Sequence, residues 1–195
     1  ILITPHEKLN NYIRMIGHQA PIESALIKAL ADHLNAEIVS GTINNINEAI
    51  SWLSYTFLHI RMCKNPLAYG IKLDEVYTDP QLQTKRLDLI RDAVATLDQC
   101  TMIRYDPRSE NLASTDMGRI ASHFYLRHGT IDAFNVMLSS HLSDSEALHV
   151  MCSSAEFDQL KMRPEELSEM DKMKKYARVK CKAPVEDTAG KVNIL

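Results

Sequence analysis

Residues 45–62 set the strongest limit on what this chain can fold into. Ile46, Ala49 with Ile50, Leu53, Phe57 and Ile60 recur three or four apart, which is helical spacing. Trp52, Tyr55, His59 and Met62 form a second stripe on another face. A helix that is apolar on two faces has to be covered on both. The pattern therefore predicts one helix over residues 45–62 with other elements around it. Asn65-Pro66 ends it, because the proline ring disfavours helical backbone in the preceding residue. Nothing reactive is arranged along the stretch, so its role is architectural.

The flanks supply the surrounding elements. Ile1–Ile3 reads as a short apolar strand, followed by a helix to about Ile16 that Thr4 caps, Pro5 starts and Glu7 completes as a capping box. A strand feeding a helix is expected of the tail of an α/β domain. Pro21 opens a second helix carrying Ile22, Leu26, Ala29 with Leu30, Leu34 and Ile38 on one face, and residues 37–43 hold enough β-branched character for a short strand. Asn44 or Asn45, with Glu48 beyond, caps the central helix. Residues 63–80 read as a connector, and Pro80 or Gln81 begins a helix buried through Leu82, Leu89 with Ile90, Ala93 with Val94, and Leu97.

The period then changes from helical to alternating. Residues 102–105 and 112–114 bracket Asp106-Pro107-Arg108-Ser109-Glu110-Asn111, a turn-rich loop that makes a β-hairpin. Helix, short strand, helix, helix, hairpin is the winged-helix order. Afterwards the pattern is helical. Ser114 or Thr115 caps a helix carrying Met117, Ile120, Ala121, Phe124 and Tyr125. Thr130 starts the next, and Ser143 with Glu146 forms a capping box. Pro164 opens a helix from Glu165 to about Val179, and residues 192–195 read as strand-like. The fold class expected is mainly α: a winged-helix domain with a small hairpin wing, then the start of an all-helical domain. Both ends read as cut from something longer.

A net charge of -3 gives no global attraction to nucleic acid or an anionic membrane, so any such binding needs a local patch. Cys63, Cys100, Cys152 and Cys181 are scattered singly and read as reduced, buried thiols of an intracellular protein. No apolar run reaches the roughly 20 residues that span a bilayer. Lys172, Lys174, Lys175, Arg178, Lys180 and Lys182 follow an acidic stretch, a pattern that reads as a solvated helix end and linker in preference to an anion-binding edge.

The reagents of catalysis are not assembled in the sequence. Glycines 17, 41, 70, 118, 129 and 190 are isolated, whereas a phosphate-cradling loop needs them clustered with a lysine. His123 and His128 are five apart and Glu165 and Glu166 adjacent, so neither pair shares a helix face. The chain itself is expected to be no enzyme, with no metal or cofactor of its own.

The cations fit phosphate contact only in part. The helix before the hairpin carries Lys85, Arg86 and Arg91 against Asp88, Asp92 and Asp98, and the wing carries Arg104 and Arg108 against Asp106 and Glu110. Such balance weakens phosphate binding and favours a structural brace over an autonomous winged-helix DNA-binding protein. A protein-interaction scaffold is the other alternative. Gly118 inside a helical pattern costs roughly 1 kcal/mol against alanine and implies close approach by another element. Arg119 beside it is the leading candidate for a phosphate contact, with Arg104, Arg108, Lys85 and Arg91 as further nucleic-acid candidates.

Several stretches carry a family resemblance: Pro21-Ile22-Glu23-Ser24, residues 34–71, residues 114–135 (STDMGRIASHFYLRHGTIDAFN) and residues 156–166 (EFDQLKMRPEE). In these the chain resembles the large Ski-like superfamily-two helicases, in particular the branch serving the activating signal cointegrator complex. The resemblance implies that residues 1–19 end the second RecA-like domain, 20–114 form the winged helix, and 115–195 begin the helical ratchet domain. It implies a non-catalytic interdomain segment of an ATP-dependent 3′-to-5′ nucleic-acid helicase that uses ATP and magnesium elsewhere in the parent. Neighbouring RecA-like and ratchet domains, weakly bound nucleic acid and other cointegrator-complex subunits are the partners it implies. The settings implied are nucleus and cytoplasm, in alkylation-damage repair and stalled-ribosome rescue. No membrane association is expected.

Overall fold

The computed structural model describes residues 2–17, 21–179 and 182–195, and helices recur along all three stretches. In chain order they are α1 (His6–Ile16), α2 (Leu30–Ser40), α3 (Ile46–Ser54), α4 (Phe57–Lys64), α5 (Leu73–Thr78) and α6 (Gln83–Gln99). The hairpin strands β1 (Ile103–Asp106) and β2 (Asn111–Ser114) follow. Then come α7 (Asp116–Phe124), α8 (His128–Met137), α9 (Asp144–Cys152), α10 (Leu167–Met173) and α11 (Thr188–Ile194). The fold is mainly α, a winged helix with a two-stranded wing succeeded by helices.

The chain divides into two compact units that interleave in sequence. One comprises residues 1–29 and 50–89, the other 30–49 and 90–195. In the first, Leu53, Leu58, Met62, Ile71 and Leu82 are almost completely buried. There Glu23 accepts from Arg61 Nη2 at 2.7 Å, Arg61 Nε at 3.1 Å, Asn65 Nδ2 at 2.7 Å and Tyr69 Oη at 2.8 Å, while Tyr69 Oη accepts from the Ser24 amide. This network ties residues 23–24 to α4 and to the 3-10 turn Pro66–Tyr69. Arg86 is buried in this unit and donates to the carbonyl of Ile50 at 3.0 Å.

In the second unit the buried apolar side chains include Leu34, Ile38, Ile43, Ile46, Ile90, Leu97, Met102 and Ile103. The wing is antiparallel, Ile103 opposite Ser114 and Asp106 opposite Asn111. It is joined by a single bridge from Asn45 to Asn111, with Leu112 N–H donating to Asn44 and Ile46 N–H to Glu110.

Several expectations are corrected. The helix predicted over residues 45–62 is broken: Tyr55 and Thr56 separate α3 from α4, and Thr56 caps α4 by accepting from His59 N–H. Beyond the break Leu58 and Met62 turn inward while Phe57 and Ile60 are about half exposed. The strand sought in residues 37–43 is the end of α2, leaving only the bridge at Asn45. Residues 2–5 form no strand, and α1 starts at His6 with Pro5 as its cap and no side-chain cap from Thr4; Ile1 lies outside the described residues. Residues 21–25 are not helical, so the second helix begins only at a 3-10 turn, Leu26–Ala29. The supposed connector holds α5.

Further on, α10 stops at Met173, well short of Val179, and the strand-like C-terminus is helical in α11. Of the apolar residues expected along α7 only Ala121 is buried, beside the buried Gly118. Cys63 is exposed, whereas Cys100 and Cys152 are buried; Cys181 and Lys180 lie outside the described residues.

Candidate nucleic-acid interface

The element that follows the wing is held by one helix of the winged fold. Thr115 caps α7, its Oγ1 accepting from Gly118 N–H at 3.1 Å and donating to the carbonyls of Thr101 and Met102 at 2.7 and 2.8 Å. A methyl group built on Gly118 would overlap the Met102 carbonyl oxygen and press on Asn35 Oδ1. The sequence cost of that glycine thus corresponds to a real close approach. From α2, the buried Asn35 donates through Nδ2 to the Gly118 carbonyl at 3.0 Å. One turn earlier Asp32 accepts from His128 N–H at 2.7 Å and meets its Nδ1 at 2.9 Å, closing the start of α8. Asp32 and Asn35 therefore hold α7 and α8 from one face of α2. Neither was evident from sequence, since an Asp and an Asn at helical spacing ordinarily face water.

The candidate cations are placed unevenly. Arg119 stands at the exposed side of α7, its Nη2 2.5 Å from Asp116 Oδ1 and its Nη1 3.3 Å from Ser114 Oγ. Arg104 and Arg108 are exposed on the wing. There Asp106 accepts from Ser109 Oγ and from Arg108 N–H, which holds its carboxyl below the usual range. Arg91 lies 3.9 Å from Glu110 across an exposed pair, worth little in water. Lys85, in the other unit, lines a cavity with Glu75, Asp79 and Asp88. Backbone donors from Thr84 and Gln83 lower the pKa of Asp79. Lys85 belongs to one compact unit and the other four candidates to the other.

The structure assembles aromatics around Arg119. With Val39, Ile120, Ser122, His123, Phe124 and Tyr125 it lines an open cavity of about 600 Å³. Tyr125 caps α7 in the left-handed region at φ 58, which costs a non-glycine residue about 1–2 kcal/mol. Phe124 and Tyr125 continue the helical spacing of Met117, Ile120 and Ala121, yet both are exposed. The left-handed cap, which aims them into solvent, leaves no mark in the pattern.

Among the described residues no group of three or more His, Cys, Asp or Glu side chains is arranged to hold a metal ion. Among them, too, no helix is long and apolar enough to cross a membrane.

A family model described as a Winged Helix-turn-helix domain matches residues 23–99, and one described as the Sec63 Brl domain matches residues 114–195. Activating signal cointegrator 1 complex subunit 3 of Dictyostelium discoideum is 47% identical over 172 residues, covering 88% of this chain and 8% of that protein. The protein of the same name in Mus musculus is 42% identical over 196 residues, with 100% of this chain and 9% of the relative covered. An Arabidopsis thaliana protein, DExH-box ATP-dependent RNA helicase DExH14, is 42% identical with the same coverage.

The chain belongs to the Ski-like superfamily-two helicases. It spans under a tenth of the length of these relatives. Along this chain the winged-helix match is followed by the Sec63 Brl match. Strand β1 falls between the two matched segments, and β2 ends at Ser114, the first residue of the second match.

Proposed function

We propose that this chain is the non-catalytic brace of an ATP-dependent 3′-to-5′ nucleic-acid helicase, coupling its motor to its helical ratchet. The observation that carries this reading is the double hold of α2 on α7 and α8 through Asn35 and Asp32. α2, bonded in this way to the helices after the wing, moves with them as one lever. Residues 1–19 would close the second RecA-like domain, 20–114 form the winged helix and 115–195 begin the ratchet. The apolar side of α1 supports the first assignment: Leu9, Ile13 and Ile16 are 40, 56 and 69% exposed, an amphipathic helix awaiting cover.

ATP and magnesium belong to the parent's motor and not to this segment. Its partners are the flanking RecA-like and ratchet domains, nucleic acid held weakly by Arg119, Arg104, Arg108, Lys85 and Arg91, and other subunits of a cointegrator complex. Alkylation-damage repair and stalled-ribosome rescue, in nucleus and cytoplasm, are the settings this reading assigns to the parent.

The test is to replace both Asp32 and Asn35 by alanine in the helicase that contains this segment. Nucleic-acid-stimulated ATP turnover should persist while duplex unwinding falls several-fold. Unwinding that keeps pace with ATP turnover in that variant overturns the brace. So does ATP hydrolysis by residues 1–195 alone, which the reading excludes.

A further inference from the structure

Two rings at the end of α7 stand in solvent: Phe124 is 66% exposed and Tyr125 90%. His123 meets Phe124 edge-on, ring centroids 5.1 Å apart at 89°, so the first ring is braced from one side. Tyr125 occupies a left-handed helix cap that glycine would fill without steric cost. The turn is complete without its side chain, because the N–H groups of Tyr125 and Leu126 both reach the Ala121 carbonyl. The tyrosine ring is thus carried against backbone preference and gains no burial in return.

What fits this face follows from its other groups. Arg119 borders the same cavity and is the one permanently charged side chain lining it. Its partner Asp116 is 89% exposed and Arg119 itself 55%, and such an exposed pair is readily exchanged. Flat rings beside a guanidinium suit an unpaired strand: base faces stack whatever the sequence, and the cation meets the backbone. A duplex hides its base faces and offers only phosphate.

We propose that the end of α7 is a stacking platform for unpaired nucleotides, Phe124 and Tyr125 taking bases while Arg119 exchanges Asp116 for a phosphate. This rests on the helicase reading above and narrows its weak nucleic-acid contact to single-stranded bases at one place.

The test titrates residues 1–195 into a single strand of about 12 nucleotides containing 2-aminopurine, and into the same sequence as duplex, at about 50 mM salt. Binding should change 2-aminopurine fluorescence in the single strand and not in the duplex. Tyr125→Gly should weaken strand binding about tenfold while its melting temperature holds or rises, which separates loss of the ring from loss of the fold. Tyr125→Trp should retain binding. Unchanged affinity in Tyr125→Gly overturns the platform and leaves the face to a protein surface. If Arg119→Gln and a paired Arg104→Ala, Arg108→Ala variant still lose affinity in that case, the wider nucleic-acid contact stands and only the platform falls. Equal affinity for strand and duplex also overturns it, and the unwinding assay on the Asp32 and Asn35 variant judges the brace independently.

Discussion

Glu23 draws donors from Arg61, Asn65 and Tyr69 onto one carboxylate, and those hydrogen bonds, Arg61's foremost, lower its pKa from 4.5 to about 2. A carboxyl whose folded pKa lies below its unfolded value binds its proton more tightly when unfolded. The stability it contributes is therefore fully present above about pH 4.5 and lost as pH falls toward 2. Glu146, held by Lys182 and Ser143, titrates in the same window, so acid weakens two sites together. Glu23→Gln should melt below the wild type at pH 7, with the gap closing as pH approaches 2. A gap that stays constant across melts from pH 7 to pH 2 would sink the assignment. At this scale sequence legibility was uneven. Gly118 announced its close contact because glycine in a helix carries a known cost. Glu23 did not, since its partners lie 38 to 46 residues away and no local pattern records them.

Among elements, α3 and α4 show how local chemistry overrides a hydrophobic pattern. The stripe from Ile46 to Ile60 runs at helical spacing and asks for one helix. Thr56 answers with two: its hydroxyl donates to Leu53 O at 2.7 Å and accepts from His59 N–H at 3.4 Å, serving the end of one helix and the start of the next. A hydroxyl that competes for backbone in this way favours a cap over a helix interior. Thr56→Ala should cost about 1 kcal/mol in urea unfolding, with Thr56→Ser nearly neutral. Equal stability of the alanine variant would mean that packing, and not the cap, sets the break. Capping signals confined to three or four residues were read correctly at Thr115 and at Ser143 with Glu146. The β-branched tail 192–195 was misread because distant contacts make it a helix: Gly190 lies tight against the Pro184 carbonyl and Lys191 bonds Glu166 and the Lys161 carbonyl.

For the molecule as a whole, the order of helices with a hairpin after the last of three was enough to give the winged helix, because element order survives errors of a few residues at each boundary. The grouping of residues into compact units was not legible, since it depends on which distant segments meet. The units alternate along the chain, 1–29, 30–49, 50–89, 90–195, with odd pieces in one and even pieces in the other. α3 and α6 each pass from one unit to the other within a helix. It follows that no single cleavage between residues 30 and 89 releases an intact unit. A protease acting on the turn at Asn65-Pro66, or a gene truncated there, yields two incomplete fragments and never one folded half. A chain of residues 90–195, deprived of 30–49, should exchange its amide protons freely and melt without a cooperative transition. A sharp calorimetric peak from that shortened chain would contradict the interleaving. Evolution can divide, permute or transplant such a module only by taking it whole.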